Sequence, residues 1–72
     1  MLERIKNILR NYANVQDLTE DTTLVGDLGL SSFDVVSVVA DFEDEFDIEI
    51  PDRDIRRFVT VGDVEKYLKE KN

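Results

Sequence analysis

The sequence predicts an all-α fold: a small four-helix bundle with three longer helices, one short helix and a long first loop. Three separate stretches repeat apolar residues at spacings of three and four, and none alternates with the period of two that a strand requires. One polar, turn-rich stretch between residues 15 and 31 keeps no period at all. The 72 residues suit one domain over 1–72.

The first helix rests on Leu2, Ile5, Ile8, Leu9 and Tyr12, with Glu3, Arg4, Lys6, Asn7 and Arg10 between them, and should end near Asn14. The loop that follows has turn points at Gly26 and Gly29. Leu18, Leu24, Val25, Leu28 and Leu30 should pin it to the core.

A second helix is expected from Ser32 to Phe46. Ser31 with Asp34 three residues on fits a capping pattern, which puts Ser31 at the N-cap and Ser32 at the first helical position. At 100° per residue, Val35, Val38, Val39, Phe42 and Phe46 share a core-facing stripe. Phe33, Val36 and Ala40 point the other way, beside Ser37 and Asp44. In so short a chain, burial all round is the less favoured outcome, so a second, partly apolar face should be offered to a partner. Asp41 with Asp44 and Glu45 sets like charges three and four apart, which weakens a helix locally.

Asp47 to Ile50 should be extended, because Pro51 disfavours helical angles in the residue before it. Asp52 is positioned to cap a short helix through Phe58, with Arg56 and Arg57 near its end as the macrodipole prefers. Thr60 and Asp63 repeat the capping pattern for a last helix to about Lys71, burying Val64, Tyr67 and Leu68. Glu65 and Lys69 form a favourable pair four apart on it.

Composition narrows function. The chain has no Cys and no His. Disulfides, thiolate metal sites and the commonest general base are therefore absent, which argues against an independent enzyme and leaves no catalytic or metal-ligating set to nominate. No segment matches a calcium loop; at most, Asp41, Asp44 and Glu45 could gather a divalent ion loosely. No apolar run reaches the roughly 20 residues that span a bilayer, and no signal-peptide pattern opens the chain, so a cytoplasmic protein without a membrane role is expected. Net charge is −8 and the pI is near 4.3. Every charged residue from Asn11 to Asp52 is an acid, which disfavours nucleic acid and favours a basic protein partner.

Ser31-Ser32 alone reads as a helix cap. The longer stretch Asp27-Leu28-Gly29-Leu30-Ser31-Ser32-Phe33-Asp34, followed by Glu43-Asp44-Glu45-Phe46-Asp47-Ile48-Glu49-Ile50-Pro51-Asp52, resembles the acyl carrier protein family. There the attachment segment usually reads Gly-x-Asp-Ser-Leu, and a run like Glu-Glu-x-Phe-x-Ile-x-Ile-Pro lies in and after the second helix. The resemblance implies that Ser32 receives 4′-phosphopantetheine from coenzyme A through a phosphopantetheinyl transferase. The arm's terminal thiol would then carry an acyl group, which would make a cysteine unnecessary.

The resemblance further implies docking of acyl-processing enzymes with basic patches on the second helix, through Ser31, Phe33, Asp34, Val36, Ser37, Ala40, Glu43 and Asp44. It also implies an acyl-lining set of Val35, Val38, Val39, Phe42, Ile55 and Phe58, and a monomer. Two positions depart from the pattern. Ser31 stands where the family has Asp, one charge fewer for a transferase to read. Phe33 stands where fatty-acid carriers have Leu, which resembles carriers of D-alanine in cell-wall synthesis. The readings to be separated are an acyl carrier in fatty acid or related specialised biosynthesis, a carrier of an aminoacyl group such as D-alanine, and an unloaded scaffold module.

Overall fold

The computed structural model describes residues 1–71. The first helix, α1, spans Leu2–Leu9 and buries Ile5 and Leu9. It stops earlier than its apolar spacing suggests. After Leu9 the bonding shifts to the tighter i to i−3 pattern, with Asn11 N–H on the Ile8 carbonyl (3.2 Å) and Tyr12 N–H on that of Leu9 (2.9 Å). The tightened turn leaves Tyr12 half-buried with its hydroxyl donating to Asp41.

The second helix, α2, runs Ser32–Phe46 as the pattern requires, with Ser31 as its N-cap. Val38, Val39, Phe42 and Phe46 are buried, and Val35 is half-buried at the edge of the stripe. The helix ends at Asp47, whose left-handed backbone (φ 54°) closes the last turn. The like charges on α2 are relieved from outside the helix. Arg4 donates two bonds to the Glu45 carboxylate (2.9 and 3.0 Å) and one to its carbonyl (3.0 Å), with its guanidinium 4.2 Å over the Phe46 ring. Tyr12 takes up Asp41. These contacts seat α1 on α2.

A third helix, α3, covers only Asp52–Ile55, with Pro51 rather than Asp52 as the N-cap. The Asp52 side chain makes no capping bond. Beyond Ile55 the chain closes through i to i−3 bonds, Arg57 N–H to Asp54 and Phe58 N–H to Ile55, so the expected continuation to Phe58 is a pair of turns. None of the four residues of α3 is buried. It is held by Asp54, which accepts from the Tyr67 hydroxyl (2.7 Å).

The last helix, α4, spans Val61–Lys71 and buries Val61, Val64, Tyr67 and Leu68. Thr60 and Asp63 form the expected reciprocal cap: Asp63 N–H on the Thr60 hydroxyl (3.1 Å) and Thr60 N–H on the Asp63 carboxylate (3.0 Å). Those bonds to Thr60 hold the Asp63 carboxyl below its ordinary value. Lys69 lies 3.9 Å from Glu65.

The first loop is ordered, as its leucines suggest. Leu24 and Leu30 are buried and joined by the Leu30 N–H to Leu24 carbonyl bond (3.1 Å). A single antiparallel bridge pairs Thr23 with Thr60. Val25 was expected inside and instead is 61% exposed. It lies on the outside of a turn in which Asp27 and Leu28 N–H groups both reach back to the Thr23 carbonyl (3.1 Å each).

Phe42 is fully buried and Phe33 is 78% exposed, on opposite sides of one helix. Phe42→Ala should cost about 3–5 kcal/mol, most or all of the stability of a chain this size. Phe33→Ala should stay within about 0.5 kcal/mol of the parent in urea denaturation.

Burial, followed by the bond to Asp54, pushes the Tyr67 phenol from 10.0 up to about 12. The folded protein thus holds this proton more tightly than the unfolded chain. That stability is complete below pH 10 and is lost as pH rises toward about 12. Urea midpoints should fall across this alkaline window, and the fall should be shallower in Tyr67→Phe.

Candidate functional site

The stretch leading into α2 is built from reciprocal bonds. Thr23 N–H donates to the Asp27 carboxylate (2.9 Å), and Asp27 N–H donates to the Thr23 hydroxyl (2.8 Å). Gly29 then adopts φ +72°, a region that strains any residue with a side chain, and turns the chain so that Leu30 enters the core. Ser31 is extended and closes a capping box. Its hydroxyl accepts from Asp34 N–H (3.1 Å), and its own N–H donates to the Asp34 carboxylate (3.0 Å).

This geometry divides the two serines. Ser31 supplies the cap, so Ser32 is released from that task. It is exposed, it is the first residue of α2, and its hydroxyl bonds to nothing among the described residues. Asp34 and Val35 N–H groups are already bonded to Ser31, whereas those of Ser32 and Phe33 have no acceptor among the described residues. Free N–H groups at the positive end of a helix dipole suit a negatively charged substituent on Ser32.

The structure places the other nominated residues on two sides of α2. Phe33 (78% exposed), Val36 (56%), Ala40 and Asp44 face outward, with Asp34 and Ser37 half-exposed. Glu43 is partly turned inward, where its carboxylate accepts the N–H of Ile50 (2.8 Å) and braces the link to α3. Of the acyl-lining set, Val38, Val39, Phe42 and Phe58 are packed in the core, and Val35 and Ile55 flank it half-buried. No three acids converge as a metal site among the described residues, Asp41, Asp44 and Glu45 included. The bonds from Tyr12, Arg4 and Ile50 to acids of α2 were not readable in advance. Each joins residues 7 to 41 positions apart, and no local spacing announces them.

The Ser32 hydroxyl is exposed and makes no bond among the described residues, and the sequence holds no histidine that could activate it as a nucleophile. The molecule is in class a helical carrier. The family model for the phosphopantetheine attachment site matches residues 3–68. Among similar relatives are the acyl carrier proteins of Caulobacter vibrioides (42% identical over 73 residues, 99% of this chain and 94% of the relative) and of Clostridium perfringens (38% over 72 residues, 97% and 95%). That of Thermotoga maritima is 36% identical over 73 residues, covering 99% of this chain and 90% of the relative. The chain belongs to the phosphopantetheine attachment-site family of carriers.

Its cofactor is therefore covalent 4′-phosphopantetheine, and its work is carriage, not catalysis. Such a carrier meets a loading transferase and acyl-processing enzymes. No helix among the described residues is long and apolar enough to cross a membrane.

Because Ser31 alone satisfies the cap, Ser31→Ala should lower stability by about 1 kcal/mol. Ser31→Asp should keep most of it, since Asp caps equally well. Chemical denaturation midpoints of the two variants check this, and an unaffected Ser31→Ala would refute the capping assignment.

Proposed function

We propose that the chain is one acyl carrier domain over 1–72, that Ser32 bears the 4′-phosphopantetheine, and that the protein serves fatty acid or related specialised biosynthesis. The observation that carries this reading is the Ser32 hydroxyl, exposed and unbonded at the start of a helix whose cap is provided by its neighbour. In loading, the Ser32 oxygen forms a bond to phosphorus and displaces the nucleotide part of coenzyme A. The hydroxyl proton goes to a base, which this reading assigns to the transferase. When bound, the group supplies the thiol on which an acyl chain is held as a thioester.

The residues of this chain then position and present. The free N–H groups of Ser32 and Phe33 favour the phosphodiester charge. Phe33, Val36 and Ala40 offer an apolar strip, and Asp34, Ser37, Glu43 and Asp44 border it with polar and acidic groups. A partner with a basic patch around an apolar socket fits this face, and complementary charge speeds encounter more than it tightens the complex. A net charge of −8 supports a monomer, and carriage between enzymes that use coenzyme A supports the cytoplasm.

Intact mass spectrometry after incubation with coenzyme A and a broad-specificity phosphopantetheinyl transferase tests the assignment. The parent and Ser31→Ala should each gain one phosphopantetheine, and Ser32→Ala none. A parent left unmodified by several transferases would make the protein a carrier-like scaffold instead.

A further inference from the structure

Arg53, Arg56 and Arg57 stand exposed in one short stretch of α3 and the turn after it. The ion pairs among the described residues are Arg4 with Glu45 and Lys69 with Glu65, so none of these three guanidinium groups has a carboxylate partner. Acids are close in sequence, yet Asp54 is occupied by the Tyr67 hydroxyl. Arg57 lies 5.6 Å from the centre of the Tyr67 ring, a contact that steadies it without using its donors on an acid. Lys6, Arg10, Lys66 and Lys71 also lack an ion pair among the described residues, but only here do three such bases fall within five positions.

Backbone bonds fix where this ridge lies. Ile50, two residues before α3, is tied to Glu43 in the last turn of α2. Val59, just past the ridge, accepts the Leu24 N–H (3.0 Å), and Leu24 in turn accepts from Leu30, which precedes the capping serine. The segment from 50 to 59 therefore runs back along α2, from Glu43 to beside its Ser32 end. The segment that carries Arg53 and Arg56 thus borders the helix through which the carrier is proposed to dock, with Arg57 at its α4 side beside Tyr67.

We propose that Arg53, Arg56 and Arg57 select partner enzymes whose docking surface sets carboxylates beside its basic patch, and disfavour enzymes that are basic throughout. The inference rests on the reading of the chain as a carrier that docks through α2. Guanidinium forks match carboxylates in a planar, two-bond geometry, and like charges brought together penalise the wrong partner. An anionic bilayer or nucleic acid would meet the twelve acids between Asp17 and Asp52 as well as the ridge. A second copy would bring its own charge of −8 against the first. A protein surface of mixed sign has neither difficulty.

The test compares two charge reversals of equal size. One is R53E/R56E/R57E, and the other is K6E/R10E/K69E, whose sites lie off the ridge, on α1, at its C-cap and on α4. With a phosphopantetheinyl transferase whose docking patch is uniformly basic, the ridge variant should lower KM about three- to tenfold beyond the control at low salt. kcat should not change, and the gain should shrink at high salt. The neutral R53Q/R56Q/R57Q should move KM the same way by less, which guards against misfolding of the reversed chain.

The dissociation constant of the same transferase, measured on each variant in a Ser32→Ala background, decides the ridge independently of loading. A parent that gains no mass speaks only against the attachment site. Equal effects from the two triples would reduce the ridge to net charge and overturn the proposal. So would ridge-dependent self-association in sedimentation, or ridge-dependent binding to phosphatidylserine vesicles.

Discussion

The packing of one face of α2 is the constraint on which the rest of the molecule depends. Phe42 at its centre is fully buried, and α1 is held against the same helix through Ile5 and Leu9 in the shared core and through Arg4 at the surface. A chain of this size has apolar material for one core, and α1, the first loop, α2 and α4 all contribute buried residues to it. Because only one side of α2 is used in this way, its opposite side and its first residue remain open. The proposed attachment and docking positions lie on what the core does not require.

The acidity of α2 has a second consequence. Asp41, Glu43 and Glu45 each accept a bond from elsewhere in the fold: from Tyr12, from the Ile50 backbone and from Arg4. Their charges are part of how the helix is seated, and the acidic surface left to a partner is narrower than the residue count implies. Asp44, exposed and unpaired among the described residues, is left on the outer face. A surface of few free charges around an apolar strip suits brief contacts, since electrostatic complementarity acts mainly on encounter and orientation.

What could be read in the sequence was what depends on near neighbours. The bounds of α2 follow from Ser31 and Asp34 at one end and the apolar spacing up to Phe46, and the structure keeps both. The start of α4 follows from Thr60 and Asp63 in the same way. The end of α1 differs because apolar spacing continues through Tyr12 after the backbone has tightened into turns, and that of α3 because Arg56 and Arg57 suit a helix end beyond the point where the backbone closes. Val25 resembles its leucine neighbours in type but falls on the outer side of a turn that only the bonds to Thr23 define. At the site, Ser32 and the outward Phe33 were legible from position alone. The internal duties of Glu43 and Glu45 were not, because their partners come from other elements.

The weak fixation of α3 bears on the proposed acyl cargo. None of its residues is fully buried, Ile55 packs half-buried against the core, and among the described residues the side-chain hydrogen bond that ties it to α4 is the one from Tyr67 to Asp54. A neutral donor on a carboxylate contributes about 1.5–3 kcal/mol. Each methylene removed from water contributes about 0.8 kcal/mol in the other direction. A chain of three or four methylenes entering beside Ile55 and Phe58 would therefore offset the loss of that tie, provided Phe42 and Val38 kept their packing. Short cargo would leave α3 closed and ride outside, and longer cargo would draw itself in. On the acyl lining that the family resemblance implies, cargo length would be felt first at α3.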